Sequence, residues 1–297
     1  MCPPRSCEYW SSGDRDSRDD RLCSGGSVGS RIAHTNQFSI HMDTPVRILF
    51  ASSEVTPFAT VSEMSDLIRN VPEYLHESGG FESRIMMPRY GIISERRNRL
   101  HEVIRLSGSR IPLADEAETL KVKVASIPGI RLQVYFMDNV KYFKRKGVYS
   151  GRDGVVFADN LTRAVLFARS VLTTARNLGW SPDVVHAHGW IAGLLPVLLK
   201  TEYAEDPLFR RAQVIFSTDG FASQGRLTSK EVADFGLSDA DRLVDRTLHE
   251  IAADFADVLV SGKEADADTV ALVGSPEEIT EKALALYGQQ TGSTVEA

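Results

Sequence analysis

The sequence predicts an α/β fold, a single Rossmann-like domain with a doubly wound, mostly parallel sheet. Three observations point there. Short apolar runs such as VRILFAS (Val46–Ser52) recur along the chain, and strands covered on both faces read as continuous apolar runs. Between them lie segments whose apolar residues repeat at helical spacing. The string DVVHAHGWIAGLLP (Asp183–Pro196) joins a strand to an apolar helix through a polar tip. Open α/β sheets present residues to ligands in this way, at the carboxyl ends of their strands.

The elements follow in order. After Val46–Ser52, the residues Met64, Leu67, Ile68, Val71 and Leu75 mark a helix. Ser83–Met87 is a buried strand closed by Pro88. Lys121–Ile127 and Arg131–Met137 alternate, with Pro128-Gly129 between them as a hairpin turn. A long helix runs from Phe157 to Leu178. The strand at Asp183 leads into a helix at Trp190–Leu199, then a strand at Gln213–Ser217, a helix around 239–255 and a strand at Val258–Ser261. Ser275-Pro276-Glu277-Glu278 is a capping box with proline at the first helical position, and Gly288 can close that last helix.

The chain has 297 residues, enough for one large α/β domain. Its net charge of −6 argues against a broad electrostatic grip on nucleic acid or on an anionic membrane. No run approaches the ~20 apolar residues that a membrane-spanning helix needs. Residues 1–45 differ from the rest: they hold Cys2, Cys7 and Cys23, many serines and glycines, and no apolar stretch of the secretory type. They are expected to form a disordered tail, and Met42 offers an alternative start just before the first strand. The expected domain is 46–287, with a second tail at 288–297. Because residues 46–297 lack cysteine, a reducing cytoplasm fits.

His186 and His188 stand at i, i+2 and share one face of a strand. Such a pair can be structural, can line a ligand cleft, or can supply two zinc ligands. No cysteine or third histidine lies near it in sequence, so no metal site is expected.

Five ordered segments resemble the N-terminal domain of bacterial glycogen synthases and plant starch synthases, retaining glycosyltransferases of the two-lobed GT-B fold. They are SSEVTPF (Ser52–Phe58), IMMPRYG (Ile85–Gly91), YFKRKGVYSG with FADNLTRAVLFARSVL (Tyr142–Gly151 and Phe157–Leu172), DVVHAHGWIAGLLP, and FSTDGFASQG (Phe216–Gly225). The resemblance implies transfer of glucose from ADP-glucose to an α-1,4-glucan end, without a cofactor. His188 matches the family histidine placed beside the transferred sugar and is the candidate catalytic residue. Glu54, Thr60, Ser62, Glu63, Asp66, His186 and Gln224 are the candidate substrate-binding residues, although Glu54 and Asp66 read equally well as solvated or capping acids.

The sequence departs from the family at the chemistry. Where the family's donor loop reads K-T-G-G-L-A-D, this chain has Thr60-Val61-Ser62-Glu63-Met64-Ser65-Asp66. The family lysine offers positive charge to the donor phosphates, and its glycines let backbone N–H groups approach them at a helix N-terminus. Thr60, Ser62 and Glu63 offer neither, and Glu63 is expected either to sit where a phosphate would or to be an ordinary first-turn acid. The family's H-A-H-D-W-H becomes His186-Ala187-His188-Gly189-Trp190-Ile191, and its H-N pair becomes Asp219-Gly220. The resemblance also implies a second lobe carrying an arginine–lysine pair and a glutamate, which the 297 residues do not show.

Three readings compete: a glycosyltransferase subunit completed by a second-lobe protein partner, a degenerate relative that binds glucan, nucleotide sugar or a protein, and an unrelated α/β module with a structural histidine pair.

Overall fold

The structure, a computed structural model, describes residues 44–130, 132–219, 225–263 and 268–288. Strand β1 (Val46–Ser52) enters helix α1 (Met64–Ser78), which returns to β2 (Phe81–Pro88). An antiparallel excursion follows: β3 (His101–Glu102), the hairpin β4 (Arg110–Pro112) and β5 (Ala117–Thr119), then β6 (Lys121–Ser126) and β7 (Gln133–Asp138). Helix α2 (Asn160–Leu178) crosses to β8 (Val184–His188). A 3₁₀ turn (Trp190–Ala192) and α3 (Leu195–Lys200) lead to β9 (Gln213–Ser217). The chain then forms α4 (Ser229–Asp234), α5 (Ala240–Leu243), α6 (Leu248–Phe255), β10 (Val258–Ser261), β11 (Thr269–Ala271) and α7 (Pro276–Gly288).

Nine strands join in the order β11-β10-β9-β8-β1-β2-β7-β6-β3. All pairings from β11 to β7 are parallel, and β6 is antiparallel to β7 and β3. The chain winds outward from β1 to β7, then α2 carries it back across to β8 on the other side of β1. The winding therefore reverses between β1 and β8, and ligands bind in the crevice outside the strand ends at such a point.

Alternation along β1 splits the core in two. Ile48 and Phe50 join Ile68, Val71 and Tyr287 on the face covered by α1 and α7. Leu49 and Ala51 join Val165, Leu172 and Leu198 on the face covered by α2, α3 and α6. Each such fully buried side chain contributes about 1.5–3 kcal/mol relative to its exposed state.

The sequence-predicted fold class and its antiparallel hairpin are observed. The segment expected to be one helix over 239–255 is two, because Val244 is extended, Asp245 takes φ +59°, and Thr247 with Glu250 forms a capping box that starts α6 afresh. The helix expected over Trp190–Leu199 breaks into the 3₁₀ turn and α3. The last helix spans Pro276–Gly288, and its start is the Ser275–Glu278 capping box. The excursion strands β3–β5, with β11 and α4, had no counterpart in the sequence reading.

Candidate functional site

Ser52, His188 and Ser217 lie side by side in register at the carboxyl ends of β1, β8 and β9. His186 and His188 share one face of β8, with ring centroids 3.7 Å apart. That face looks toward α7, where the Tyr287 hydroxyl lies 2.6 Å from His186 Nδ1; Ser217 Oγ lies 3.0 Å from Nε2. A neutral imidazole has one N–H and one acceptor nitrogen, so one hydroxyl accepts and the other donates. Burial pushes the His186 pKa down to about 3, because a charged ring would lose its hydration. His186 is thus fully engaged within the fold.

His188 differs. It is 3% exposed, and neither ring nitrogen has a partner among the described residues. Burial, followed by repulsion from His186, holds its pKa well below the ordinary value. A neutral, buried and unpaired imidazole costs about 1–3 kcal/mol. A ligand hydroxyl or a water would recover this. Gly189 next to it takes φ +72° and packs on Ser53, whose N–H donates to the His188 carbonyl.

Behind the tip lies Arg163 of α2, fully buried. Its Nε donates to the Tyr142 carbonyl at 3.0 Å and its Nη1 to Asn160 Oδ1 at 2.6 Å, while the guanidinium lies 5.2 Å from the Trp190 ring centroid. This one side chain ties the YFKRKG and FADNLTR segments to the strand tip.

The loop between β1 and α1 is organised by Glu54. Ser52 Oγ receives the Glu54 N–H and donates to its carbonyl, which turns the chain sharply at the strand end. The buried Glu54 carboxylate then accepts the N–H groups of Val61 at 2.6 Å and Ser62 at 2.8 Å, and the Ser62 hydroxyl at 2.7 Å. Met64 N–H donates to Ser62 Oγ, Ser65 N–H to the Ser62 carbonyl, and Asp66 N–H to the Glu63 carbonyl. Of the N–H groups from Val61 to Asp66, only that of Glu63 lacks a partner among the described residues. An anion at this helix start therefore already exists inside the chain, and it is Glu54. Glu63, for which the sequence left open a place at the phosphate site or an ordinary first-turn acid, is exposed and makes no capping bond.

A cavity of about 590 Å³ opens beside this loop. Ser62, Glu63 and Asp66 line it, as do Asp219 after β9, Lys263 after β10, and Met64 and Leu67 on α1. Asp219 is tied to β10 by bonds from Ser261 Oγ and the Gly262 N–H. The structure thus brings together Ser62, Glu63 and Asp66 of the candidate residues. Glu54 lies directly behind them, and Thr60 is exposed with its hydroxyl 3.2 Å from that of Thr56. His186 and His188 are not part of the cavity lining, and Gln224 and Gly220 lie outside the described residues. Among those residues, no group of three or more His, Cys, Asp or Glu side chains is placed to hold a metal. Nor is any helix among them long and apolar enough to cross a membrane.

Sequence reasoning missed three residues. Tyr287 lies 101 residues from His186 and carries no local motif. The role of Ser217 follows from strand register alone. Asp219 was seen as a substitution but not as a clamp on β10.

This wound sheet, with its candidate residues at the strand ends, is a Rossmann-like α/β lobe. Residues 47–274 match the starch synthase catalytic domain family, and the chain belongs to that family. It is 42% identical over 185 residues to a glycogen synthase of Chlorobium limicola, covering 62% of this chain and 38% of the relative. It is 37% identical over 244 residues to a glycogen synthase of Pelodictyon phaeoclathratiforme, covering 82% of this chain and 49% of the relative. The chain thus spans half or less of the length of these two relatives. Its fold is similar to the catalytic domain of starch synthase IV from Arabidopsis thaliana bound to ADP and acarbose, with a TM-score of 0.61, 19% identity, and coverage of 83% of this chain and 50% of that one.

Proposed function

We propose that this glycogen/starch synthase-like domain binds α-glucan in the cytoplasm, takes up ADP-glucose poorly, and does not transfer glucose as the 297-residue chain. The observation that carries this reading is the Glu54 carboxylate, which holds the Val61 and Ser62 N–H groups in the loop just before α1. A diphosphate entering the loop would find those donors taken. It would also face Glu63, Asp66 and Asp219, with Lys263 as the one cation lining the cavity among the described residues. A unit charge held about 4 Å from one carboxylate meets a repulsion of about 4 kcal/mol at the effective dielectric of a protein surface. A neutral sugar meets no such repulsion, and carboxylates are good acceptors for its hydroxyls.

Calorimetric titration of the purified chain with ADP, ADP-glucose and maltoheptaose tests the proposal. Saturable heat with maltoheptaose, weak or no heat with ADP-glucose, and no glucosyl transfer are the expected results. Glucosyl transfer by the chain alone, or ADP-glucose binding tighter than glucan binding, would overturn it. A second reading is half of a split glycosyltransferase, in which this lobe works with a partner chain. Under that reading, a protein carrying the remaining half would restore transfer when mixed with this chain.

A further inference from the structure

The parallel strands end along one edge of the sheet, and exposed apolar side chains gather in the loops there. Of the eight large hydrophobic residues exposed among the described residues, six follow the carboxyl ends of these strands. They are Val61 after β1, Ile92 after β2, Val140, Val155 and Val156 after β7, and Val273 after β11, each 37–67% exposed. Single exposed hydrophobics are ordinary, whereas their concentration on one face marks a surface that another protein covers.

The charges of the same edge are segregated. In the loops after β2 and β7, Arg96, Arg97, Arg99, Lys144 and Lys146 are exposed and form no ion pair among the described residues. These loops abut, since the Gly91 N–H donates to the Arg145 carbonyl at 2.7 Å. Nearby carboxylates are already engaged: Glu95 pairs with Arg89 and Lys123, and Asp159 with Arg145. On the β1 and β9 side, Glu63 and Asp66 are exposed and form no ion pair among the described residues, with Asp219 beside them. Asp153 among the bases and Lys263 among the acids are the minority charges.

A two-fold axis normal to the mean plane of the sheet sets the carboxyl edge of one copy against that of another and reverses the strand order. The bases after β2 and β7 then lie over the acids around β1 and β9 of the other copy, twice over, as a two-fold interface requires. A partner of uniform charge would match one arm and be repelled by the other. We propose that a second copy of this chain covers the carboxyl edge in this way. The inference does not rest on glucan binding, and its test contains no sugar.

Sedimentation velocity of the 297-residue chain over a concentration series provides that test. A reversible dimer is expected at about 0.05 M salt, and its dissociation constant should rise about tenfold at about 0.5 M, where exposed charges are screened. Arg96→Glu with Arg97→Glu should be monomeric, and so should Glu63→Lys with Asp66→Lys. Mixed in equal amounts, these two double variants should dimerise again, because each reversed arm then meets its opposite. All four side chains are exposed, so both variants should keep the fold. A monomer at every concentration, a dimer indifferent to salt and to both variants, or a mixture that stays monomeric would overturn the proposal. So would a chain that is monomeric alone and associates only with added poly-L-glutamate, which would place an acidic partner on the basic arm instead.

Discussion

The tip of β8 and the loop before α1 stand at the same edge of the sheet, yet they have diverged from the family pattern in opposite ways. The tip keeps both histidines and encloses them: His186 between Tyr287 and Ser217, His188 at 3% exposure. The loop has lost lysine and both glycines and remains open to solvent, with its first N–H groups bound by Glu54. Retained residues can thus be locked into packing, while an altered loop can stay accessible. Which of the two sets the ligand depends on what is free to bond. At the tip those are the His188 nitrogens, and in the loop the Glu63 N–H.

The largest expected effect probes the tip. Both histidines are neutral when folded, whereas the unfolded chain takes up protons near pH 6.5. A lowered folded-state pKa means that the unfolded state binds more protons below that value. Stability is therefore full above about pH 6.5 and falls below it, approaching about 1.4 kcal/mol per pH unit for each ring. Between pH 6 and 5 the two together should give a loss of about 2.4 kcal/mol. Glu95, Asp206 and Asp254, whose carboxyl pKa values are lowered, add to the loss below about pH 5. Urea unfolding at pH 7, 6 and 5 measures the slope, and His186→Gln should halve it. A flat profile over this range would show that the rings are not sealed.

Next comes Gly189→Ala, at the hinge of the tip. A Cβ there would lie 2.3 Å from Ser53 Oγ and 3.1 Å from Ser53 Cβ, on a backbone at φ +72°. The cost should be about 1–3 kcal/mol by urea denaturation. If the variant is as stable as the parent, β1 and β8 are less tightly apposed at their ends than the geometry shows.

The two regions were also unequally legible in the sequence. The wound sheet could be read because VRILFAS, DVVHAH and QVIFS are apolar runs whose period and bounding signals are local. The His186–His188 pair shares a face simply because strands have a period of two. The excursion at 101–119 could not be read, since β3 has two residues and β4 and β5 three each, too short for any period to register. The capping boxes Thr228–Glu231 and Thr247–Glu250 were readable signals that went unused. In the loop, residue types alone made Glu63 the natural anion at the helix start. Glu54 wins because Ser52 turns the chain at the strand end and sends its carboxylate under residues 61 and 62, a matter of path rather than composition.

A smaller effect rebuilds the loop. Thr60→Lys with Ser62→Gly and Glu63→Gly supplies a cation, removes an acid and frees the approach to the helix N-terminus. ADP affinity should rise by about 1–3 kcal/mol, the return of one or two charge-assisted hydrogen bonds, as read by calorimetry. Binding without turnover is the expected outcome. No gain would show that Glu54 alone keeps the site closed to phosphate.

The smallest effect separates the two glutamates, and it is the sharpest test of the loop. Glu63 is exposed and makes no capping bond, so Glu63→Gln should change stability by less than about 0.5 kcal/mol. Glu54→Gln keeps the size and one acceptor oxygen but turns the other end into a donor. With its oxygen toward the Val61 and Ser62 N–H groups its amide can donate to the Ser62 hydroxyl, but it carries no charge for any of them. Hydrogen bonds to a charged acceptor contribute about 1.5–3 kcal/mol each, so Glu54→Gln should cost at least about 1 kcal/mol. It should also leave the loop N–H groups more readily taken by inorganic pyrophosphate, whose binding is the second readout. Equal stability costs for the two variants, or pyrophosphate binding gained through Glu63→Gln and not Glu54→Gln, would move the internal anion from Glu54 to Glu63. The difference assigned here between an enclosed tip and a self-bonded loop would then fail on the loop side, while the acid profile of the histidines would still hold for the tip.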